Sequence, residues 1–465
     1  MRNAISDSSR CDKIVTTDKI RYYKTEATMK IVALCGLLGY GYSEESLERA
    51  FSEKVDYVGV DAGSTDPGPY YLGNGTSFTD RNAVKRDLAL AMPKALAAGA
   101  PLIIGTAGGA GSREHTDWVI DIIKEIAAEE GLSFTLGRIY SDVSREYVTE
   151  KLEGGRIIPM CESFPLTKEA VAESTRIVSQ IGIAPFIELL SRGVDVIVAG
   201  RACDTAIYAA PCIYEGYDPA LSFHMAKIME CGAMCCEPVA AADVMQAYMY
   251  DGYFELRPAS PTRRCVVERV AAHTMYEQTN PYKIYEPDGV IDIENAVFDQ
   301  IDERTVRISG ARFTEAEEKT LKLEGVRCVG YRTICIAGIY DAMTIGRMNY
   351  IESVVREFVS KNSGLGADDF TLNFRKYGGA ESSLCIVIDC VGKTQELADT
   401  VCSLARSRML HCDYEGRKSS AGNLAFPFSP SDIHVGPVYE FSVFHLAKVD
   451  SLTETAKIDL LEVNK

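Results

Sequence analysis

The sequence has no excess of basic residues and no long hydrophobic run, and these two absences exclude whole classes of function. Lys and Arg number 49 against 66 Asp and Glu, which gives a formal net charge of -17. Nucleic acid and anionic membranes both require a basic face, so neither is a predicted partner. No segment reaches the roughly 18 consecutive apolar residues that a membrane span needs.

Sequence signatures of common cofactor and metal sites are also missing. The six histidines form neither H-x-x-x-H nor H-E-x-x-H, and the glycine-rich segments match neither a Walker A loop nor G-x-G-x-x-G. Fifteen cysteines are scattered without a regular disulfide framework, which predicts a reduced, cytoplasmic protein. Cys231, Cys235 and Cys236 share one stretch, but nothing nearby completes a tetrahedral set. We interpret them as buried thiols and predict no metal site there.

Short apolar runs alternate with helical segments between residues 29 and 245. Runs such as 31–34 and 102–105 lack polar alternation, which is typical of parallel strands covered on both faces. This order predicts an α/β fold: a doubly wound, mostly parallel sheet domain over residues 29–245. Short β-branched runs and a later helix–strand–strand–helix order predict a second, α+β domain over 246–465. The polar segment 1–28 is predicted to be a flexible tail.

Residues 101–112 combine an apolar strand, a glycine-rich loop and a helix start. Gly105, Gly108, Gly109 and Gly111 let the backbone approach a ligand without a Cβ in the way. Free N–H groups at the following helix N-terminus could then hold a phosphate or carboxylate. The alternative is a tight turn that binds nothing.

Open parallel sheets bind ligands outside the C-terminal ends of their strands. Four loops are expected to converge there, at residues 36–43, 61–73, 105–113 and 200–205. They offer carboxylates for proton transfer and arginines for a bound anion. The catalytic candidates are Asp66, His115 and Asp204. The substrate-binding candidates are Ser64, Thr65, Thr106, Gly108, Gly109, Ser112, Arg113, Arg201, Thr205, Lys322 and Arg332.

Each candidate also has a purely structural interpretation. Asp204 could pair with Arg201 and cap the helix that follows, because Asp is a good N-cap. Asp61 and Asp66 could bind Mg²⁺ or could organise Asx turns. His115 could be a surface residue near a helix start.

Lys322 and Arg332 lie on a hairpin-like segment of the predicted second domain. A solvated hairpin face is one interpretation. If the segment folds over the glycine loops, its charges could hold an acidic substrate.

Five segments together resemble the acyclic terpene utilisation protein A family. They are VDAGSTDPGPYYLG (60–73), AGRACDTA (199–206), AAHTMYE (271–277), VRCVGYRTI (326–334) and AGNLAFPFSPSD (421–432). The likeness spans most of residues 30–446. The family's name comes from an operon that degrades acyclic terpenes through acyl-CoA intermediates. Some members carry an added ferredoxin-like domain, so the resemblance implies a small companion subunit as one option.

Three functions are weighed. The first is an enzyme of carboxylate or acyl-CoA catabolism, a lyase or hydratase using acid–base chemistry on a small anionic molecule. The second is a non-catalytic binding subunit that acts with a small companion protein. The third is a nicotinamide-dependent oxidoreductase, for which Asp61 is the ribose-binding candidate. The cofactor is left open, with Mg²⁺ as a candidate, and a homo-oligomer is expected.

Overall fold

The computed structural model describes residues 11–14, 21–24, 29–160, 164–366, 368–378 and 383–464. The chain divides into two compact units, Met1–Val326 with Phe441–Lys465, and Arg327–Glu440. Of the predicted tail 1–28, only the antiparallel pair Cys11–Ile14 and Arg21–Lys24 is described. The rest of that prediction lies outside the described residues.

The first unit is built on a ten-stranded mixed sheet. Its strands, in spatial order, are Val297–Gln300, Val306–Ser309, Tyr253–Pro258, Met245–Met249, Met29–Ala33, Tyr57–Asp61, Leu102–Gly105, Val196–Ala199, Phe134–Tyr140 and Lys457–Val463. The five strands from Met29–Ala33 to Phe134–Tyr140 are parallel to one another. The strands added on either side are antiparallel.

The α/β class is therefore confirmed, but the whole sheet is mixed rather than mostly parallel. The predicted boundary at residue 245 falls inside the first unit, because Met245–Met249 pairs with both Met29–Ala33 and Tyr253–Pro258. One of the β-branched runs that suggested a new domain, Val306–Ser309, instead extends the existing sheet. A short turn at Asp251 and Gly252 makes this possible, since antiparallel neighbours need no crossover helix.

Both faces of the parallel strands are buried. Ile31, Ile103 and Ile197 belong to the apolar cluster on one face, and Val32 and Ile104 to the cluster on the other. Successive residues of a strand point to opposite faces, so a strand covered on both sides must be apolar throughout. This explains why these strands lack polar alternation.

Helices and smaller strands complete the first unit. Its helices are Glu44–Ala50, Pro69–Asn74, Arg81–Ala98, Arg113–Glu130, Arg145–Glu153, Lys168–Glu173, Ala184–Ser191, Ala206–Tyr214, Pro219–Met229, Val267–Thr274 and the 3-10 turn Gly232–Cys235. Its smaller strands are Ile157–Pro159, Arg176–Gln180, Cys236–Glu237, Arg264–Cys265, Lys283–Glu286, Gly289–Asp292 and Arg312–Glu315. The long strand Thr320–Ile339 begins in this unit. Its residues 322–326 pair antiparallel with Arg176–Gln180.

The second unit packs helices against an antiparallel sheet. Strand Leu384–Gly392 pairs with residues 331–339 of the long strand Thr320–Ile339 on one side and with strand Phe370–Tyr377 on the other. Its helices are Ala342–Gly346, Met348–Asn362 and Gln395–Leu410, and the long strand Asp432–Lys448 begins in this unit. This is the helix–strand–strand–helix order that the sequence predicts. No helix among the described residues of the chain combines the length and apolar character needed to cross a membrane.

Candidate functional site

The four predicted loops meet at the C-terminal edge of the parallel strands. The backbone hydrogen bonds that join them run from Leu38 N to Asp61 O (2.8 Å), Ala62 N to Gly105 O (2.9 Å), Thr106 N to Gly200 O (3.1 Å) and Arg201 N to Gly111 O (3.1 Å). The parallel strands end side by side, so the residues that follow them are brought together.

Close packing of one loop on another accounts for two of the glycines. A Cβ on Gly111, where φ is +68°, would lie 2.1 Å from the backbone nitrogen of Arg201. A Cβ on Gly63 would lie 2.5 Å from Gly109. Packing of one loop on another is therefore sufficient to explain these two glycines.

A buried ion-pair network lies beneath the loops. The Glu324 carboxylate accepts hydrogen bonds from Arg201 Nε (2.8 Å) and Thr65 Oγ1 (2.9 Å), and Lys322 Nζ lies 2.7 Å away. Arg201 Nη1 also donates to the Ala202 carbonyl (2.9 Å). The charges of Arg201 and Lys322 lower the pKa of Glu324 to about 2, although burial alone would raise this pKa. Three residues predicted to bind substrate are thus engaged with a carboxylate of the protein itself.

Asp204 joins that network through Arg201, which is the predicted Arg–Asp pair. Its Oδ1 lies 3.6 Å from Arg201 Nη1, and this buried oxygen has no hydrogen-bond partner among the described residues. The N-cap of the following helix is Thr205, so Asp204 is not the predicted cap. Burial raises the pKa of Asp204, against the charges of Arg201 and Lys227. Its side chain still keeps 30% of its surface exposed, so solvent or a ligand can reach it.

Asp61, at the end of a neighbouring strand, is buried more deeply. Its Oδ2 accepts the Gly63 N–H at 3.2 Å, which is the predicted Asx turn, while Oδ1 has no hydrogen-bond partner among the described residues. Burial raises the pKa of Asp61 well above its usual range, and the negative charge of Asp204 raises it further.

Two further carboxyl groups, Glu230 and Glu286, influence the same region electrostatically. Burial raises the pKa of Glu230 to about 8, and the positive charge of Lys227, whose Nζ donates a hydrogen bond to Glu230 Oε1, partly offsets this rise. Burial also raises the pKa of Glu286 to about 7, partly offset by the hydrogen bond from Thr205 Oγ1 (2.8 Å). Asp61, Asp204, Glu230 and Glu286 form what we call the acidic cluster. At neutral pH it holds both protonated and ionised carboxyl groups.

The other predicted residues lie around this cluster in different settings. Asp66 is exposed, and its N–H donates to Ser64 Oγ (3.1 Å). Its negative charge contributes to the raised pKa of Asp204. Arg113 is exposed and lies 3.7 Å over the Tyr140 ring. None of these side chains supplies a free positive charge beside Asp204.

His115 is buried rather than superficial, and both of its ring nitrogens have partners. Nδ1 lies 2.7 Å from Ser112 Oγ, and Nε2 lies 3.0 Å from the Thr76 carbonyl. Burial lowers the pKa of His115, so the ring is neutral. A Cβ on Gly108 would lie 2.8 Å from the Cβ of His115, which shows how tightly the loop packs on it.

Arg332 belongs to the second unit and pairs there with Asp389, its Nε donating at 2.9 Å.

Thr106, with φ of +46°, is buried, and its Oγ1 donates to the Ala202 carbonyl at 3.2 Å. Thr106 therefore orders the loop backbone around Arg201.

Sequence reasoning missed Lys227, Glu230, Glu286 and the partner role of Glu324. One signal was present, since Lys227 and the C-cap residue Glu230 are charged residues at i and i+3 at the end of the mostly apolar helix Pro219–Met229. Charges in a buried helix are retained when they pair. Glu286 gave no such signal, because it ends a short strand 81 residues away from Thr205.

Metal-ligating side chains gather at one other place in the part of the chain that the structure describes. Cys235, Cys236 and Cys265 are buried, and their sulfur atoms all lie within 4.8 Å of one another. No carboxylate trio among those same residues is gathered as closely. Among the described residues, Asp61 and Asp66, the predicted Mg²⁺ ligands, belong to no such group, and Mg²⁺ binding remains a prediction.

Comparisons with known proteins place the chain in a family. A family model described as acyclic terpene utilisation family protein AtuA matches residues 81–400, which is more than half of the 465 residues. Neither the curated proteins nor the solved structures gave a match. The chain belongs to the acyclic terpene utilisation family.

Proposed function

We propose that this protein is an acid–base enzyme, a lyase or hydratase, with the acidic cluster as its active site. The observation that carries the proposal is Asp204. It follows a central parallel strand, its buried oxygen has no hydrogen-bond partner among the described residues, and part of the side chain is reachable from solvent. A carboxyl group with a raised pKa in such a position is suited to proton transfer near neutral pH.

The neighbouring carboxyl groups support a division of roles. Adding water to a double bond conjugated to a carbonyl requires one group that takes a proton from water and another that gives a proton to carbon. Glu230, with a pKa of about 8, keeps its proton at neutral pH and suits the acid role. Asp204, which the charges of Arg201 and Lys227 hold closer to ionisation, suits the base role.

The same arrangement supports a carbonyl-containing substrate. Protonated carboxyl groups do not repel an anion, and they can donate a hydrogen bond to a carboxylate or thioester oxygen. Lys227 is nearly buried beside Glu230 and adds positive charge close to the cluster. Family membership favours the acyl-CoA class within this group, because the family is named for the use of acyclic terpenes.

The test is deuterium incorporation from D₂O into candidate substrates. The purified protein is incubated with branched acyl-CoA esters and with free di- and tricarboxylates, each with and without Mg²⁺, and products are followed by mass spectrometry. We expect incorporation or hydration with one class of compound, and loss of at least about 100-fold in rate for Asp204→Asn. Asp121→Asn is the matched control, because Asp121 is exposed on the helix Arg113–Glu130.

Equal rates for Asp204→Asn and the parent protein with a turned-over compound would contradict the proposed base. Binding of a compound without any exchange or turnover would instead favour the non-catalytic subunit that acts with a small companion protein. A melting temperature that rises with NAD(P) alone would favour the oxidoreductase.

A further inference from the structure

Three buried thiols from two separate segments of the first unit meet beside a methionine. Cys235 ends the 3-10 turn and Cys236 begins the strand Cys236–Glu237. In the antiparallel pair with Arg264–Cys265, Cys236 lies directly opposite Cys265. The Cys236 sulfur is 3.7 Å from the Cys265 sulfur and 3.7 Å from Met245 Sδ. We call Cys235, Cys236 and Cys265 the thiol cluster.

The spacing of these sulfur atoms fits a shared metal ion. Metal–sulfur bonds of roughly 2.3 Å at tetrahedral angles place two sulfur atoms about 3.8 Å apart. The observed 3.7 Å between Cys236 and Cys265 matches this value, and all three sulfur atoms lie within 4.8 Å of one another. One ion could be bound with small changes in side-chain torsion and no movement of the backbone.

The surroundings of the cluster also suit a metal ion. Cys236 is fully buried, and a thiolate, which is the form that binds metals, is costly to bury unless a cation accompanies it. Arg263, two residues before Cys265, is already paired with Asp243 at 2.6 Å.

We propose that Cys235, Cys236 and Cys265 bind one thiophilic metal ion, with the Met245 thioether as a neighbouring soft donor. Three thiolates and a thioether select Cu⁺ most strongly and Zn²⁺ next, and they disfavour Mg²⁺ and Ca²⁺. Among the described residues, no histidine or carboxylate joins the group, which also favours Cu⁺ over a typical zinc site.

A surface cleft is lined by the chain neighbours of Cys236 and Cys265, namely Glu237, Arg264 and Val266. This cleft has a volume of about 840 Å³, and Arg263 and Gln300 are also among its walls. A bound ion would cross-link the 3-10 turn that follows Glu230 to the strand that precedes helix Val267–Thr274. No member of the thiol cluster belongs to the acidic cluster, so the two proposals succeed or fail separately.

The experiment titrates the reduced, metal-free, full-length protein with Cu⁺ and, in a second arm, with Zn²⁺. After desalting, metal content is measured by mass spectrometry, and thiolate-to-metal charge transfer is followed by ultraviolet absorption. We expect one equivalent of metal per chain, a charge-transfer band and a higher melting temperature. Cys236→Ser and Cys265→Ser should each lower the affinity at least 10-fold.

Cys212→Ser is the matched control, because Cys212 is equally buried and its thiol contacts the Tyr208 carbonyl instead of other thiols. It should bind metal as the parent protein does. If the cluster variants fail to fold, X-ray absorption of the metal-loaded parent protein decides the matter, with three sulfur neighbours at roughly 2.2–2.3 Å expected. Less than half an equivalent of either metal, oxygen or nitrogen coordination, or parent-like affinity in a folded cluster variant would overturn the proposal.

Discussion

Replacing Glu324 with Gln should destabilise the first unit strongly, because Glu324 is the common partner of two cations. The Glu324 side chain is fully buried, and the Arg201 side chain keeps only 3% of its surface exposed. Glutamine keeps the shape but removes the charge, which leaves the Arg201 guanidinium buried without its carboxylate. Removing one partner of a buried ion pair costs about 3–5 kcal/mol. The lowering of the Glu324 pKa from 4.5 to about 2 corresponds to a similar value of about 3 kcal/mol.

The assay is urea unfolding followed by the fluorescence of Trp118, the single tryptophan of the chain, which lies in helix Arg113–Glu130 of the first unit. Glu129→Gln is the matched control. Glu129 forms an exposed pair with Lys85, so its loss should cost less than about 1 kcal/mol. A loss of less than about 1 kcal/mol for Glu324→Gln as well would refute the ion-pair reasoning. The Glu324 contribution should be fully present above pH 4.5 and should disappear as the pH falls towards 2, because its folded-state pKa is lowered.

Three further predictions use the same unfolding assay. Gly111→Ala should cost about 1–3 kcal/mol more than Gly131→Ala, because both glycines have a positive φ but only the Cβ at Gly111 meets another loop. The raised pKa of Glu286 means that its contribution to stability is complete below pH 4.5 and is lost as the pH rises through about 7, so Glu286→Gln should flatten the stability profile over that interval. Tyr208→Phe should leave the free energy of unfolding unchanged or higher, because its buried hydroxyl has no hydrogen-bond partner among the described residues, whereas Tyr42→Phe removes a made hydrogen bond and should cost about 0.5–1.5 kcal/mol. The opposite order within either matched pair, or a Glu286→Gln profile parallel to that of the parent protein, would contradict these accounts.

The location of the candidate site could be predicted from sequence because it depends on local pattern. Apolar runs identified the parallel strands, and parallel strands end at one edge, so Asp61, Arg201 and Asp204 were expected near one another. The local structure at Asp61 was also foreseeable, since an Asx turn to the backbone two residues further on is an intrinsic preference of aspartate. The chemistry of the loops could not be predicted in the same way, because it depends on which residues from distant parts of the chain face them.

Long-range partners account for what the sequence did not reveal. Glu324 lies 123 residues from Arg201 and converts a predicted substrate-binding arginine into part of a buried network. Lys322 was also predicted to hold an anionic substrate, and it pairs with the carboxylate of Glu324 as well. Cys265 completes the thiol cluster only because its strand pairs with Cys236, 29 residues earlier. Pairing register at that range cannot be obtained from composition or periodicity.

The extent of the sheet was misjudged for a related physical reason. Strand Val306–Ser309 has the β-branched pattern of an antiparallel domain, and that pattern is equally compatible with the edge of an existing sheet. In the structure, Met245–Met249 pairs antiparallel with the edge of Met29–Ala33, and this pairing joins the later strands to the existing sheet. An unpaired edge is satisfied by whichever strand reaches it, and sequence does not show which one does.

The central claim is that the acidic cluster keeps protonated carboxyl groups at neutral pH, and infrared spectroscopy tests it most directly. A carboxylic acid has a C=O stretching band that a carboxylate lacks. We predict that the folded protein retains this band at pH 7, and that it weakens as the pH rises through about 7 and about 8, the pKa values of Glu286 and Glu230. Glu230→Gln should reduce the band, and Glu129→Gln should leave it unchanged. A folded protein with no carboxylic acid band at pH 7 would contradict the account.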